Sequence, residues 1–396
     1  MVVINSVSAG IITALVGFTS SFVVVLTGLR AVGASESQAS SGLVALCIVV
    51  GASTLWLALR HRIPATTAWS TPGAALLTTA GASAMGFDEA IGAFILCAAL
   101  LLLSGLWPAL GKLTAAIPTP VAQAMLAGVL FPLCLKSISG LSASPAAVAP
   151  VVVIWLLGII FLPMWAVPLA FVGAGIVIAV HLSRSGFSID AAELLPTLEW
   201  TSPAFSVQAA IGIALPLYVV TMAAQNLPGV AVLRSYDYEP PWRDCLSSTA
   251  LGSLTAAPFG ASTINLAAIS AALAAAPETN VPADKRWRNA VVSGLTYLLL
   301  AGAAAAVVAL AGAAPTGLIA AVAGLALLGA FGGAVQGAWS DAALRLPAVL
   351  TFLVAASGIT VAGIGSAFWA LVTGVIMTMA ANYSARVQSR RLRHGR

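Results

Sequence analysis

The chain has very little charge for its length. Of its 396 residues, 12 are Asp or Glu and 17 are Lys or Arg, so charged residues make up 7% of the sequence. A soluble domain carries roughly 25% charged residues. Because so few charges would not solvate the surface of a soluble chain of this size, the composition excludes a cytosolic enzyme, a disordered chain and a nucleic-acid-binding protein.

Residues that build metal centres and disulfide frameworks are also scarce. Cys47, Cys97, Cys134 and Cys245 stand in apolar stretches, and none forms a Cys-x-x-Cys pair, so we interpret them as small packing residues. The sequence has no HExxH motif, no glycine-rich phosphate loop and no Ser/His/Asp grouping at membrane depth. We therefore predict a protein that is not an enzyme and that needs no metal or other cofactor.

Long apolar runs dominate what is present. Hydrophobic residues make up 60% of the chain and the mean hydropathy is +1.03. Runs this long and continuous predict an all-α polytopic membrane protein, in contact with the lipid bilayer, rather than the short alternating segments of an outer-membrane barrel. Charges and Pro/Gly clusters divide the runs into about fourteen transmembrane segments. Their predicted ranges are 10–29, 38–59, 71–83, 88–110, 118–135, 146–162, 164–182, 205–233, 243–257, 262–276, 288–312, 316–334, 343–361 and 363–384.

The basic residues predict the orientation of these segments. With the N-terminus in the cytoplasm, fourteen of the 17 Lys and Arg residues fall in cytoplasmic loops or in a basic C-terminal tail at 386–396. Only Arg30, Lys136 and Arg184 fall on the other side. An error of one helix would scramble this division, so the positive-inside rule predicts an even number of spans. We expect a cytoplasmic (inner) membrane protein with both termini cytoplasmic and a retained first helix.

The third segment does not read as an ordinary helix. Between Arg62 and Asp88 lie 25 uncharged residues, interrupted by Pro64 and by the run Thr71-Pro72-Gly73. A Thr followed by Pro is typical of a helix N-cap and first turn. We therefore predict an extended approach followed by a half-helix that begins near the bilayer midplane. The candidate binding residues at its start are Ser70, Thr71 and Gly73.

The tenth segment repeats this pattern. Between Asp244 and Glu278 lie 33 uncharged residues that include Phe259-Gly260-Ala261-Ser262-Thr263 and then a run from Ile264 to Ala276, which we predict to be helical and capped by Ser262 or Thr263. Aligning Ser262-Thr263 with Ser70-Thr71 gives an offset of 192 in a chain of 396 residues. Matching half-helices in two halves are typical of inverted-repeat secondary transporters. We predict repeats at 1–200 and 201–396; the alternative is a pair of ordinary membrane helices that tolerate Gly and Pro.

The distribution of acids indicates the charge of the substrate. All twelve Asp and Glu residues fall in predicted loops or at predicted helix ends, so the midplane is formally neutral. The N-terminus of each half-helix carries a partial positive charge and free N–H donors. A cationic substrate would require a buried carboxylate there. The pattern therefore predicts a small anion as the substrate.

Uncharged polar residues complete the candidate site. Gln225 and Asn226 lie one turn before the Pro228-Gly229 break in segment 8, and Asn265 is the symmetric candidate in segment 10. The alternative is that the amides bond carbonyls freed by Pro228. Ser20 and Ser21 form a hydroxyl cluster in segment 1, although such hydroxyls also serve helix packing.

Aromatic residues near these positions would form the walls of a flat slot. The candidates are Phe18, Trp69 and Phe259, together with Phe22 and Tyr218. Aromatic faces beside anion-binding helix ends suit a planar aromatic carboxylate, while the alternative role of such a cluster is core packing.

Four stretches carry a family resemblance: GFTSSFVVVL, TTAWSTPGAALL, QNLPGVAVLRSYDYEPP and FGASTINLAAISAAL. They resemble the benzoate/proton symporter (BenE) family over essentially the whole chain. The resemblance implies the fold of uracil/proton symporters and sulfate-type anion transporters, with seven plus seven inverted segments and a short strand before each half-helix. It also implies a core domain of segments 1–4 and 8–11, at about 1–111 and 203–313, and a gate domain of segments 5–7 and 12–14, at about 112–202 and 314–385.

The resemblance also suggests roles for two amides. Gln225 is similar to the position of a substrate-binding glutamate on segment 8 of uracil symporters, and Asn265 is similar to the second acidic position on segment 10. The function implied is symport of benzoate or a close aromatic carboxylate with a proton, by alternating access, with a homodimer through the gate as one option. The alternatives are a transporter of another small anion or a nucleobase, an anion channel, or a membrane-embedded enzyme.

Overall fold

A computed structural model describes residues 2–80, 86–107, 117–185 and 194–394. In this part of the chain nine helices are long and apolar enough to cross a membrane. Five further segments are shorter: two apolar helices, the helix of segment 9, and the two segments that contain a half-helix. Together with the nine long helices they give fourteen segments, as predicted. The predicted ends of segments 3 and 4, and the acids Asp190 and Glu193, lie outside the described residues.

The first seven segments are formed by helices Val2–Thr19 and Phe22–Ala31 (segment 1), Glu36–His61, strand β1 (Thr67–Trp69) with the first half-helix Thr71–Ala80, Phe87–Leu106, Thr119–Ala143, Pro145–Phe161 and Ala166–Ser185. The second seven are Val207–Ser235, Trp242–Ala256, strand β2 (Ile264–Leu266) with the second half-helix Ile269–Ala275, Trp287–Gly312, Leu318–Ala338, Arg345–Ala356 and Ser366–His394. The last helix therefore continues to His394, through most of the predicted tail at 386–396.

Segment 1 is broken in its middle, whereas the sequence predicts one continuous helix. The first helix ends at Thr19 and the second begins at Phe22. The hydroxyls of Ser20 and Ser21 both donate to the carbonyl of Gly17, at 3.1 and 3.3 Å. Because serine hydroxyls compete with the backbone for hydrogen bonds, this cluster gives the helix an alternative to its regular pattern.

Segment 8 contains two wide helical turns, each beside a proline. Residues Ala210–Ala214 and Met222–Asn226 form π-helical turns, and they precede Pro216 and Pro228. Proline lacks an N–H group and clashes with the carbonyl four residues earlier, so the turn before it widens. The second wide turn ends on Gln225 and Asn226, which places the two amides on different sides of the helix.

Strands β1 and β2 form an antiparallel pair that joins the two repeats. Thr67 is opposite Leu266, Ala68 opposite Asn265, and Trp69 opposite Ile264. The pairing continues at both ends, because Ser70 N donates to Thr263 O at 2.9 Å and Ala267 N donates to Thr66 O at 3.0 Å.

Side chains of neighbouring segments satisfy the outer edges of this pair. Thr54 Oγ1 of segment 2 accepts from Thr67 N, Ser253 Oγ of segment 9 accepts from Ile264 N, and Asn226 Oδ1 of segment 8 accepts from Leu266 N, each at 2.9 Å. Backbone groups in the membrane interior find no water, so every one of them needs a partner in the protein. These three side chains therefore stabilise a sheet of two strands in the membrane interior.

The β pairing corrects the predicted start of the second half-helix. Residues Ile264–Leu266 belong to β2, and the helix begins at Ile269. Ser262 and Thr263 therefore precede a strand and do not cap the helix, and Asn265 lies in the strand. Asn265 is opposite Ala68, so the central residues of the two strands are 197 positions apart, compared with the offset of 192 in the sequence alignment.

The first half-helix is capped one residue earlier than the sequence predicts. It begins at Thr71, and Gly73 N donates to Ser70 Oγ at 3.1 Å. Ser70 is therefore the N-cap. Thr71 and Pro72 occupy the first two helical positions, where proline's missing N–H is tolerated.

The role of Asn226 gives a stability prediction. In Asn226→Ala the N–H of Leu266 loses its acceptor, which should destabilise the fold by about 1–3 kcal/mol. Thermal unfolding of the detergent-purified protein should show a lowered midpoint. The neighbouring variant Gln225→Ala is the control, because the Gln225 side chain makes no hydrogen bond to another described residue. Equal midpoints for Asn226→Ala and the wild type would contradict this role.

Candidate functional site

A cavity of about 420 Å³ lies where segments 1, 3, 8 and 10 face segments 5 and 12. Five of the residues predicted to bind substrate line it: Ser20, Ser21, Trp69, Thr71 and Gln225. Both half-helices start at this cavity, with Thr71 and Pro72 at one edge and Ile269 and Ser270 at the other. The break in segment 1 and the wide turn in segment 8 thus face the starts of the two half-helices.

The indole ring of Trp69 is held in a fixed orientation. Its Nε1 donates to Ser21 Oγ at 2.7 Å. Phe18 and Tyr297 contact the ring edge-on, each with a centroid distance of 5.7 Å. Because the hydrogen bond at Nε1 and both aromatic contacts constrain the ring, Trp69 forms a rigid apolar part of the cavity wall. Phe18 does not line the cavity but supports Trp69 from behind, stacked on Phe22 at 5.1 Å.

Free polar groups surround the cavity. The hydroxyls of Thr71 and Ser270 and the amide of Gln225 line it without a hydrogen bond to another described residue. All its described lining residues are uncharged, and the acids within the described ranges lie in loops or end turns of helices, as predicted. The N-terminus of the first half-helix carries a partial positive charge at this uncharged lining, and it favours an anion.

Three predicted residues connect the first half-helix to its neighbours behind the cavity. Ser70 Oγ lies 2.9 Å from Thr221 Oγ1, and Thr221 Oγ1 lies 3.5 Å from Thr263 Oγ1. Gly73 packs so closely on segment 8 that an added Cβ would lie 2.4 Å from Leu217 Cδ1. Ser70, Gly73 and Thr263 therefore hold the half-helix against segment 8 and do not line the cavity.

Asn226, which the sequence predicts to bind substrate, does not line the cavity in this structure. Its side chain is fully buried, with Oδ1 accepting from Leu266 N and Nδ2 3.6 Å from Met222 Sδ. The physical reason is the edge of β2, which needs an acceptor that the sequence does not reveal. The alternative expectation, that the amide bonds a carbonyl freed by Pro228, is also not met.

Phe259 and Gly260 also lie outside the cavity lining. Phe259 packs edge-on against Trp200 at 5.5 Å, and its carbonyl accepts from Ser41 Oγ at 2.8 Å. Gly260 has a φ of +89°, the left-handed conformation that ends the last turn of segment 9. Both residues terminate segment 9 ahead of β2. Tyr218 is likewise engaged elsewhere, in a hydrogen bond with Ser104.

Asn265 and Ser262 are buried polar residues with one unsatisfied oxygen each. The Asn265 Nδ2 group donates to Leu266 O at 2.8 Å, and its Oδ1 has no partner among the described residues. Asn265 is opposite Ala68, so the two side chains share a face of the strand pair, and Ala68 lines the cavity. Asn265 thus offers an acceptor close behind the cavity wall.

Sequence reasoning missed the residues that segments 5, 10 and 12 contribute. Gln123 of segment 5 lines the cavity, as do Ser270, Gly329 and Gly333. An added Cβ on Gly329 or Gly333 would meet nothing within 4 Å, so the wall is bare backbone at these two positions. The other lining residues of segment 12 are Ala326, Leu327, Ala330 and Ala334. The signals were present: Gln123 is the single amide in its segment, and Gly329–Ala334 reads GAFGGA. Ser270 was missed because the second half-helix was predicted to begin near Ile264, which does not place Ser270 at the start of the helix.

The comparisons with known proteins agree with this architecture. The transmembrane domain of a cyanobacterial bicarbonate transporter, BicA, matches with a TM-score of 0.58 and 16% identity, covering 95% of this chain and 96% of that one. This likeness shows the fold, that of a polytopic membrane protein with inverted repeats.

The sequence comparisons then identify the family. The family model described as benzoate membrane transport protein (BenE) matches residues 2–380, and the chain belongs to that family. "Inner membrane protein YdcO" of Escherichia coli strain K12 is 37% identical over 377 residues, 95% of this chain and 96% of that protein. The "Benzoate membrane transport protein" of Acinetobacter baylyi is 30% identical over 374 residues, 94% of each chain.

The two lining glycines of segment 12, Gly329 and Gly333, give a prediction about access to the cavity. In Gly329→Leu the new side chain would extend into the cavity, so a cysteine at Gln225→Cys should react with a maleimide several-fold more slowly. The four native cysteines are buried and contribute little background. Gly302→Leu is the control, because Gly302 of segment 11 also has nothing within 4 Å but does not line the cavity. Equal labelling rates in both variants would show that segment 12 does not border the space around Gln225.

Proposed function

We propose that the chain is a symporter of the inner membrane that carries benzoate, or a close aromatic carboxylate, together with a proton by alternating access. The observation that carries this proposal is the cavity itself, in which a fixed tryptophan lies beside an anion-favouring helix start and free uncharged donors. Its volume of about 420 Å³ is in the range for small-molecule sites, roughly 300–1,000 Å³. Membership of the benzoate transport family supports the choice of substrate.

The aromatic ring would occupy the apolar part of the cavity. Trp69 provides a flat wall on one side, and Leu126 and Leu130 of segment 5 provide aliphatic contacts. The backbone surface at Gly329 and Gly333 leaves room for a planar group on the opposite side. Burial of a ring between these walls would contribute most of the apolar binding energy.

The carboxylate would lie at the polar end of the cavity. Thr71 and Ser270 offer hydroxyl donors, and Gln225 offers an amide N–H, all without partners in the described structure. Gln225 lies at the position where the resemblance to uracil symporters implies an acid. An amide N–H can donate a hydrogen bond to a carboxylate, whereas an ionised acid at this position would repel it. This substitution favours a carboxylate over a nucleobase, which is the closest rival substrate class.

The proton would travel on the substrate. The described lining residues of the cavity are uncharged and include no Asp, Glu or His. The free Oδ1 of Asn265 is an acceptor, which suits the O–H group of a protonated carboxyl better than a carboxylate oxygen. In this mechanism the proton gradient drives uptake by protonating benzoate in the site.

Alternating access would move segments 1–4 and 8–11 as a core against segments 5–7 and 12–14 as a gate. The cavity supports this division, since its walls come from segments 1, 3, 8 and 10 on one side and 5 and 12 on the other. The inverted repeats then place one half-helix in each half of the core. Both termini would be cytoplasmic, as the basic residues indicate.

Uptake of labelled benzoate into proteoliposomes tests the proposed function. We expect saturable uptake that an inward proton gradient accelerates, with competition by excess benzoate and none by excess uracil. Non-saturable flux would indicate a channel. Competition by uracil, or by an inorganic anion alone, would contradict the benzoate assignment.

Gln225 allows a sharper test of the carboxylate site. A hydrogen bond to a charged group contributes about 1.5–3 kcal/mol, so Gln225→Ala should raise the KM for benzoate about tenfold or more. Gln208→Ala is a matched control, because this amide of the same segment bonds Gly363 O and lies outside the cavity. An unchanged KM in Gln225→Ala would remove Gln225 from the site.

A further inference from the structure

Tyr297 of segment 11 is a buried residue whose hydroxyl has no hydrogen-bond partner among the described residues. Its side chain is 1% exposed, and its hydroxyl makes no hydrogen bond within the described part of the chain. A buried tyrosine hydroxyl usually finds a partner, because an unsatisfied polar group in an apolar environment costs free energy. The position of this hydroxyl relative to the cavity therefore needs an explanation.

The Tyr297 hydroxyl lies directly behind the cavity wall. A Cβ added to Gly17 would be 2.5 Å from the Tyr297 hydroxyl oxygen and 3.1 Å from Ser270 Oγ. The Tyr297 ring also contacts Trp69 edge-on at 5.7 Å. Gly17, Trp69 and Ser270 all line the cavity. The hydroxyl thus lies against Gly17 and the ring against Trp69, so both parts of the Tyr297 side chain contact residues that line the cavity.

Tyr218 shows how this fold treats a buried tyrosine with a packing role. It is 3% exposed, and its hydroxyl forms a hydrogen bond with Ser104 of segment 4. The sequence could have placed phenylalanine at 297 and avoided an unsatisfied hydroxyl. The Tyr297 hydroxyl lies beside Gly17 of the cavity wall. Its presence there is explained if its hydrogen-bond partner is the transported molecule.

We propose that Tyr297 is a substrate-binding residue whose hydroxyl donates a hydrogen bond to the substrate carboxylate above Gly17. The Tyr297 and Ser270 hydroxyls both lie beside the face of Gly17 that carries no side chain, so a carboxylate that approaches this face would contact both of them. Segment 11 would then join segments 1, 3, 8 and 10 in forming the site. This inference rests on the proposed transport of an aromatic carboxylate.

The variant Tyr297→Phe separates a binding role from a packing role. Without ligand, its thermal unfolding midpoint should equal or exceed that of the wild type, because the change removes an unsatisfied buried group. The Kd for benzoate, measured by titration calorimetry on the purified protein, should rise at least tenfold. An unchanged Kd, or a lowered midpoint without ligand, would overturn the proposal.

Tyr218→Phe is the matched control. It removes a hydroxyl that has a protein partner, so its unfolding midpoint should fall while its Kd for benzoate stays at the wild-type value. A Kd raised equally in both variants would show a general loss of packing and would also overturn the proposal. The wild-type titration is the separate test of the proposed function, because absence of benzoate binding there defeats the substrate assignment before any variant is compared.

Gly17 supplies a second variant that does not depend on the first. Gly17→Ala alone places a methyl group 2.5 Å from the Tyr297 hydroxyl, so we expect poor folding. In the double variant Gly17→Ala with Tyr297→Phe the nearest remaining atom is Ser270 Oγ at 3.1 Å, so folding should recover. Benzoate binding should stay weakened at least tenfold in this double variant. Wild-type binding by the refolded double variant would overturn the proposal.

Discussion

The architecture depends on satisfying the backbone of two extended segments inside a membrane. Among the described residues, strands β1 and β2 pair only with each other, so each leaves one edge of N–H groups without a strand partner. Thr54, Ser253 and Asn226 provide side-chain acceptors for these groups. Because such extended chain is tolerated in the membrane interior only when it is enclosed by protein, segments 2, 8 and 9 must pack around the strands. The strand pair thereby fixes where both half-helices start, and the cavity lies at those starts.

The cavity combines rigidity with a lack of fixed charge. Trp69 is held by Ser21 and by two aromatic neighbours, while Thr71, Ser270 and Gln225 keep their polar groups free. A site of this kind suits an anion through dipoles and neutral donors, and it contains no fixed charge that would oppose release of the substrate. A fixed cation would hold a carboxylate more strongly and would oppose its release on the other side of the membrane. Neutral recognition therefore suits a carrier that must release its substrate in every cycle.

Much of the fold could be predicted from sequence, because hydropathy and charge act over whole segments. The fourteen segments and the peripheral acids follow from those patterns, and the interruptions at Thr71-Pro72 and Phe259-Gly260 indicate the two half-helices. The bounds of the second half-helix and the roles of single polar residues could not be predicted, because they depend on contacts between distant segments. Ile264–Leu266 reads as the start of a helix until β1 is placed beside it, and Asn226 reads as a ligand until the edge of β2 requires an acceptor. Gly17, Gly329 and Tyr297 gain their importance from what lies opposite them in space.

A structure of the protein bound to 4-bromobenzoate, with the bromine located by its anomalous signal, tests the central claim most directly. We expect one site, with the ring against Trp69 and the carboxyl group within hydrogen-bond distance of Gln225 and the start of a half-helix. Bromine density outside the space between segments 3, 10 and 12, or a carboxyl group bound to a lysine or arginine side chain, would contradict it.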